Sequence, residues 1–200
     1  MNILHIDSSI QGDESVSRRL SAAIVDRLVI SSPDAKVVYR DLAASPLPQF
    51  NAEILAGLHS EDGHARPNLA PVCSSLDEVL RADVVVVGAP MYNLSVPTQL
   101  KSWLDAIAVP GKTFRYGPDG VAGLLGDKRV IIASTRGGLY GPDSPSVASE
   151  HQESYLRAFF AFLGVNRFEV VRAEGVALSP EVASRAIERA MEQASLLEAA

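Results

Sequence analysis

Val84, Val85, Val86 and Val87 form an unbroken β-branched run, and no other stretch of the chain constrains its fold as strongly. A run of this kind, without polar alternation, suits a strand buried on both faces of a parallel sheet. At its carboxyl end Gly88, Ala89 and Pro90 turn the chain, and Met91, Tyr92, Asn93 and Leu94 follow side by side. Pro97 then sits where a helix begins, the position proline fits best. Open α/β sheets hold their ligands at the carboxyl ends of central strands. A flat apolar and aromatic surface beside one amide suits a planar heterocycle better than a sugar or a nucleic acid backbone.

Strand and helix patterns alternate along the rest of the chain, without an internal repeat or an obvious linker. Strand patterns cover Ile3 to Ile6, Val37 to Tyr39, the valine run, Arg129 to Ser134 and Glu169 to Ala173. Helices are expected from Ser17 to Ile30, Ser74 to Arg81, Pro97 to Ala108 and Ser146 to Leu163. In the first of these, Leu20, Ile24 and Leu28 recur on one face. Ser179-Pro180-Glu181 opens a last helix with a cap, a first-turn proline and an acid in the right order. Residues 41–72 are Pro- and Ala-rich and long for a compact domain, so they read as a lid or interface segment with some helical turns. Strands separated by helices imply an α/β doubly wound parallel sheet with right-handed crossovers. For five strands, a flavodoxin-like three-layer sandwich in the order 2-1-3-4-5, with helices on both faces, is the natural choice.

Composition narrows the function. Two hundred residues, 47% hydrophobic and 21% charged, make one globular domain over residues 1–200. A net charge of −6 argues against nucleic acid or an anionic membrane as partner. No stretch approaches the roughly 20 apolar residues that span a bilayer, and the amino terminus lacks a basic n-region. A single cysteine, Cys73, allows no internal disulfide, which fits a cytoplasmic protein.

Three loops at the carboxyl edge of the expected sheet carry candidate chemistry. The loop after the first strand holds Ser8, Ser9, Ser15, Val16 and Ser17, with Arg18 and Arg19 opening the helix. Hydroxyls before a helix amino terminus, with its free N–H groups and positive dipole end, make an anion site. Hydroxyls without a Walker lysine suit a terminal monophosphate held without a metal, while the plainer alternative is a serine N-cap. The loop after the fourth strand reads Thr135-Arg136-Gly137-Gly138. Paired glycines let backbone N–H groups approach a ring system closely, although a simple turn would use them as well.

These residues give the chain a resemblance to the FMN-dependent NADH-azoreductases, relatives of the NAD(P)H:quinone oxidoreductases in the flavodoxin-like superfamily. It runs along nearly the whole chain. Ser8-Ser9, Ser15-x-Ser17, Arg40-Asp41-Leu42-Ala43, Ala89-Pro90-Met91-Tyr92-Asn93, Thr98-Gln99-Leu100-Lys101, Thr113-Phe114-Arg115-Tyr116, Arg136-Gly137-Gly138 and Ala173-Glu174-Gly175 carry it. The resemblance implies that Ser9, Ser15, Val16 and Ser17 hold the phosphate and ribityl end of FMN. It implies that Pro90, Met91, Tyr92, Asn93 and Leu94, with Thr135, Arg136, Gly137 and Gly138, contact its ring. Tyr116 and Phe162 would shape the substrate pocket above it, although Phe162 also lies on an apolar helix stripe with Phe159. The chain departs from the family pattern at Leu94, where many members have Phe, and at Thr135, where many have Ser. The implied reaction is ping-pong transfer of two electrons from NADH or NADPH to a quinone or azo compound, in a homodimer whose pockets lie at the subunit interface. Trp103 is the expected interface residue, because it is read as lying off the stripe of Leu100, Leu104 and Ile107.

Other motifs read as structural. His5, inside the first strand, is expected to be a satisfied interior histidine. His59, His64 and His151 show no metal-ligand spacing, so no metal is expected. Cys73 has no basic neighbour in sequence to activate it. Gly111-Lys112-Thr113 imitates the end of a P-loop, but Ala106 stands where the earlier glycine belongs. An electron-carrier flavodoxin remains the alternative, differing in its usual Thr-x-Thr-x-x-Thr phosphate loop. A phosphoacceptor receiver domain is excluded, since it needs an Asp where this chain has Gly88-Ala89-Pro90.

Overall fold

The computed structural model describes residues 1–58, 60, 63 and 66–198. In chain order its elements are β1 (Asn2–Asp7), α1 (Val16–Ser31), β2 (Lys36–Asp41), α2 (Ala52–Gly57), α3 (Ala70–Arg81), β3 (Val84–Pro90), α4 (Thr98–Ile107), β4 (Phe114–Gly117), β5 (Gly120–Gly123), β6 (Arg129–Arg136), α5 (Glu153–Phe162), β7 (Arg167–Glu174) and α6 (Pro180–Ser195). Single 3-10 turns occur at Gly12–Glu14 and Val147–Ser149.

The valine run lies at the centre of a five-stranded sheet in the order β2-β1-β3-β6-β7, and every pairing in it is parallel. All seven residues of β3 and all eight of β6 are buried, whereas β2 at the edge leaves Val37, Val38 and Tyr39 exposed. Burying one valine side chain contributes about 1.5–3 kcal/mol, so the strand with four takes the middle and the strand with Lys36, Tyr39 and Arg40 takes the rim. Side chains alternate across a strand. Val85 and Val87 therefore pack with Leu76, Leu100 and Leu104, while Val84 and Val86 pack with Leu20, Ile24 and Ala190.

Several expectations are corrected. The anticipated order 2-1-3-4-5 becomes 2-1-3-6-7 in chain numbering, because an antiparallel hairpin, β4 with β5, lies outside the main sheet. Its strands are four residues each, mostly exposed and rich in glycine, so they carry no apolar alternation. The helix expected from Ser146 begins only at Glu153, after the Glu150 carboxylate has capped it by accepting from the backbone N–H groups of Gln152, Glu153 and Ser154. Within the 41–72 excursion, Leu42, Leu47, Ile54, Leu58 and Leu69 are buried in the main apolar cluster, which makes these parts core rather than lid. His59 and His64 lie outside the described residues.

Trp103 is fully buried within the chain, so it is not an interface residue. Spacings of three, four and seven from Leu100 place Trp103, Leu104 and Ile107 on one helix face. His5 is buried, with Nε2 3.0 Å from Ser21 Oγ, as expected of a satisfied histidine. The P-loop imitation has a structural use: buried Thr113 donates its hydroxyl to the Ile107 carbonyl at 2.7 Å. No helix among the described residues is long and apolar enough to cross a membrane.

Candidate functional site

The loop after β1 is built on buried hydroxyls. Ser8, Ser9, Ser15 and Ser17 are each 1% exposed or less. Ser15 is the N-cap of α1, accepting from the Arg18 N–H at 3.3 Å, and its Oγ lies 3.0 Å from that of Ser17 in the first turn. Buried hydroxyls next to the unpaired N–H groups of a sixteen-residue helix form a donor set for an anion. Gly12, at φ 54°, supplies the left-handed turn that brings the loop back to the helix.

Arg18 does not face that donor set as a free cation. Its guanidinium donates to both oxygens of Asp41, at 2.7 and 2.8 Å, and twice to the Ser9 carbonyl, at 3.2 and 2.8 Å. It thereby clamps the loop to β2. The hydrogen bond from Arg18, joined by the backbone N–H groups of Ala43 and Ala44, holds the Asp41 carboxyl below its usual range. Tyr39 donates to Asp7, and burial together with the two aspartates pushes its phenol up to about 12.

At the end of β3, the Met91 N–H donates to the Thr135 carbonyl at 2.8 Å, so the second and third loops are joined at their base. Tyr92 and Ser95 exchange backbone hydrogen bonds around a two-residue turn in which Asn93 and Leu94 have φ of 49° and 73°. Asn tolerates this region, whereas a left-handed leucine costs about 1–2 kcal/mol. Strain of this kind persists only where surrounding contacts enforce it. Here the His151 N–H donates to the Leu94 carbonyl and the Ser95 hydroxyl to the His151 carbonyl, at 3.1 and 3.3 Å. The Tyr92 hydroxyl reaches across to the first loop, 3.2 Å from Ser9 Oγ and accepting from the Ile10 N–H at 3.2 Å. Ile10, Gln11, Met91, Tyr92 and Asn93 line an open cleft of about 390 Å³.

The third loop sits over a charged cluster that residue spacing did not disclose. Arg136, 2% exposed, lies 2.8 Å from Glu153, 3.2 Å from Glu150 and 3.5 Å from Glu174, and donates through Nε to Gln152 Oε1 at 3.1 Å. Arg172 also pairs with Glu153, and the Tyr140 N–H donates to Glu174. Burial alone would raise the Glu150 and Glu153 carboxyls. Backbone N–H groups around Glu150, Arg172 beside Glu153, and Arg136 beside both leave the two lowered instead. The Arg136 side chain is thus engaged with the Glu150–Glu153 segment, and the contact of this loop with the second is made by the Thr135 carbonyl.

The structure brings Ser9, Met91, Tyr92, Asn93 and Thr135 together through these contacts. It groups Tyr116 and Phe162 elsewhere. Both rings pack on the buried Phe114, Tyr116 edge to face and Phe162 tilted, at 5.5 and 4.7 Å between centroids, and are 73% and 40% exposed. Neither lines the Met91 cleft. Cys73 is buried, and that burial pushes its thiol up, which leaves it without an activated thiolate. Among the described residues no group of three or more His, Cys, Asp or Glu could hold a metal ion.

Comparison with known proteins agrees with this architecture. The sequence pattern of the flavodoxin-like fold matches residues 1–197. The FMN-dependent NADH:quinone oxidoreductase of Methylorubrum populi is 51% identical over 203 residues, covering all of both chains. FMN-dependent NADH:quinone oxidoreductase 2 of Bradyrhizobium diazoefficiens is 49% identical over 202 residues, again with full coverage. Among solved structures, an azoreductase from Bacillus anthracis superposes with a TM-score of 0.87 at 28% identity, over 98% of this chain and 97% of its own. An FMN-dependent NADH-azoreductase from the same species, solved in complex with FMN, gives 0.82 at 25% identity over 98% of each chain. With half its residues shared end to end with the quinone oxidoreductases, the chain belongs to their flavodoxin-like family.

Proposed function

We propose that this protein is an FMN-dependent NAD(P)H oxidoreductase that reduces quinones and azo compounds. The observation that carries the reading is the link between two unlike surfaces at one sheet edge. Buried Ser15 and Ser17 lie at the α1 amino terminus with buried Ser9 in the loop before it, and the cleft lined by Met91, Tyr92 and Asn93 is tied to that loop through Ser9 and Tyr92. The donor set fits a phosphate monoester: hydroxyls and a helix terminus, with the Arg18 guanidinium already occupied by Asp41. The names of the relatives favour an enzyme over a flavodoxin-type electron carrier.

Ser9, Ser15, Val16 and Ser17 would hold the phosphate and ribityl end, with Arg18 fixing the loop through the Ser9 carbonyl. Pro90, Met91, Tyr92, Asn93 and Leu94 would flank the ring on one side. The backbone of Thr135, Arg136, Gly137 and Gly138 would do so on the other, its N–H groups favouring negative charge. An FMN held there would supply the hydride-accepting and two-electron chemistry. The protein's own share is orientation and exclusion of water.

The same reading takes residues 1–200 as one cytoplasmic domain, its sheet the middle layer between α1 with α6 and α3, α4 with α5. The two apolar clusters support that layering, because each collects alternate strand residues together with one of those helix sets. It takes the active unit as a homodimer. Exposed Tyr116 and Phe162, set on Phe114 apart from the cleft, would wall a substrate pocket once a second subunit is present. Denaturing the purified protein and identifying the released cofactor tests the proposal. FMN is expected, whereas a colourless protein that ignores added FMN removes it.

A further inference from the structure

Glu150 to Glu153 is a short connection, yet it touches both of the loops proposed to flank the ring. Gln152 sits at its centre, fully buried. Its Nε2 donates to the Ala89 carbonyl at 2.5 Å, at the end of β3, immediately before Pro90 and Met91. Its Oε1 accepts from Ser134 Oγ at 3.3 Å and from Arg136 Nε at 3.1 Å, at the end of β6. The residue before it holds the strained turn, through the Leu94 carbonyl and the Ser95 hydroxyl. The residues on either side of that pair, Glu150 and Glu153, hold the Arg136 guanidinium.

We propose that Gln152 is a positioning residue that sets the Met91–Ser95 turn against the Thr135–Gly138 loop. An amide suits this place for a definite reason. It donates to one strand end and accepts from the other with a single planar group, and it adds no charge to a cluster of two arginines and three carboxylates. A leucine leaves the Ala89 carbonyl, the Ser134 hydroxyl and the Arg136 Nε without this partner. A glutamate keeps the acceptor but sets an oxygen against the Ala89 carbonyl. The end of β3 beneath the turn then loses its tie to β6, and the His151 backbone that supports the left-handed Leu94 is no longer anchored by its neighbour.

The part of this inference that concerns FMN rests on the function proposed above, while the part that concerns the loops does not. The test therefore reads both. Gln152→Leu and Gln152→Glu are compared with wild type and with Gln193→Leu, a control that removes the same kind of bond, from a glutamine amide to a strand carbonyl, at Val170. Amide hydrogen exchange on the full chain without FMN should quicken about tenfold across Met91 to Ser95 in both Gln152 variants and stay unchanged in the control. The FMN dissociation constant, by fluorescence titration, should rise about tenfold in the same two variants. Ser95→Ala, a milder cut of the same bracket, should quicken exchange in that turn even if a Gln152 variant does not fold. A folded Gln152→Glu protein with wild-type exchange overturns the proposal, as does unchanged exchange in Ser95→Ala where neither Gln152 variant folds. A wild-type protein that binds no FMN overturns the function and leaves the exchange result to decide the role of Gln152.

Discussion

Replacing Arg136 by methionine should destabilise the protein in a pH-dependent way that can be worked out from its surroundings. The guanidinium is almost wholly enclosed and faces Glu150, Glu153 and Glu174. Methionine fills much of the space but leaves those carboxylates with Arg172, which pairs with Glu153 alone among the three. Removing one partner of a buried ion pair costs about 3–5 kcal/mol. For a chain of this size each kcal/mol lowers Tm by about 2–4 °C, so a drop of roughly 6–20 °C is expected at pH 7. In the wild type, Glu150 and Glu153 are lowered on folding. Their contribution is present above the ordinary carboxyl range and is lost as pH falls through the lowered values. In the variant, burial acts with less opposition and raises these carboxyls, so the penalty is relieved as pH falls and they take up protons. The gap between variant and wild type should therefore narrow from pH 7 to pH 5. Thermal unfolding of both proteins without cofactor, followed by circular dichroism, measures it. A deficit below about 1 kcal/mol at pH 7, the worth of an ordinary surface pair, or one that widens on acidification, would refute the reasoning.

Other consequences are as direct. Ser17→Ala should weaken FMN binding by about 1 kcal/mol, the value of one hydrogen bond. Ser17→Asp should cost several kcal/mol by facing a phosphate with a like charge; equal affinities by fluorescence titration would remove Ser17 from the site. Gly88→Ala should destabilise by about 1–3 kcal/mol, because its Cβ would lie 2.3 Å from Asp7 Oδ1, which accepts from Ser21. Urea unfolding checks this, and an unchanged midpoint would contradict it. Sedimentation at micromolar concentration should give twice the 21.3 kDa chain mass, and Phe162→Asp should reduce dimer and activity together. A fully active monomer would end the shared-pocket reading.

The parts of the fold legible in the sequence were those written in contiguous apolar pattern. Four adjacent valines mark β3, but Gly88, Ala89 and Pro90, which read as a turn, continue that strand in register with β6, and the turn comes only at Tyr92–Ser95. Leu20, Ile24 and Leu28 marked the buried face of α1. What escaped had no local signal. Arg136, Glu150, Gln152, Glu153, Arg172 and Glu174 are separated by up to 38 residues of chain, and only the parallel register of β6 with β7 sets Arg136 beside Glu174. The β4–β5 hairpin is too short and too exposed to show alternation. Trp103 reads as lying off the stripe of Leu100, Leu104 and Ile107, but three residues after Leu100 and four before Ile107 it shares their buried face. Tyr39 and Asp41 became visible as loop supports only once β2 was paired with β1.

The central claim is that the edge formed by the Ser15–Ser17 and Met91–Leu94 loops holds an FMN that exchanges electrons with a nicotinamide and a small acceptor. Mixing the purified, FMN-loaded protein with NADH and then NADPH in the absence of oxygen tests it most directly. The yellow absorbance should bleach with at least one nucleotide and return on adding one equivalent of a quinone. A bound flavin that neither nucleotide bleaches, or a bleached one that no quinone or azo compound restores, would contradict the account.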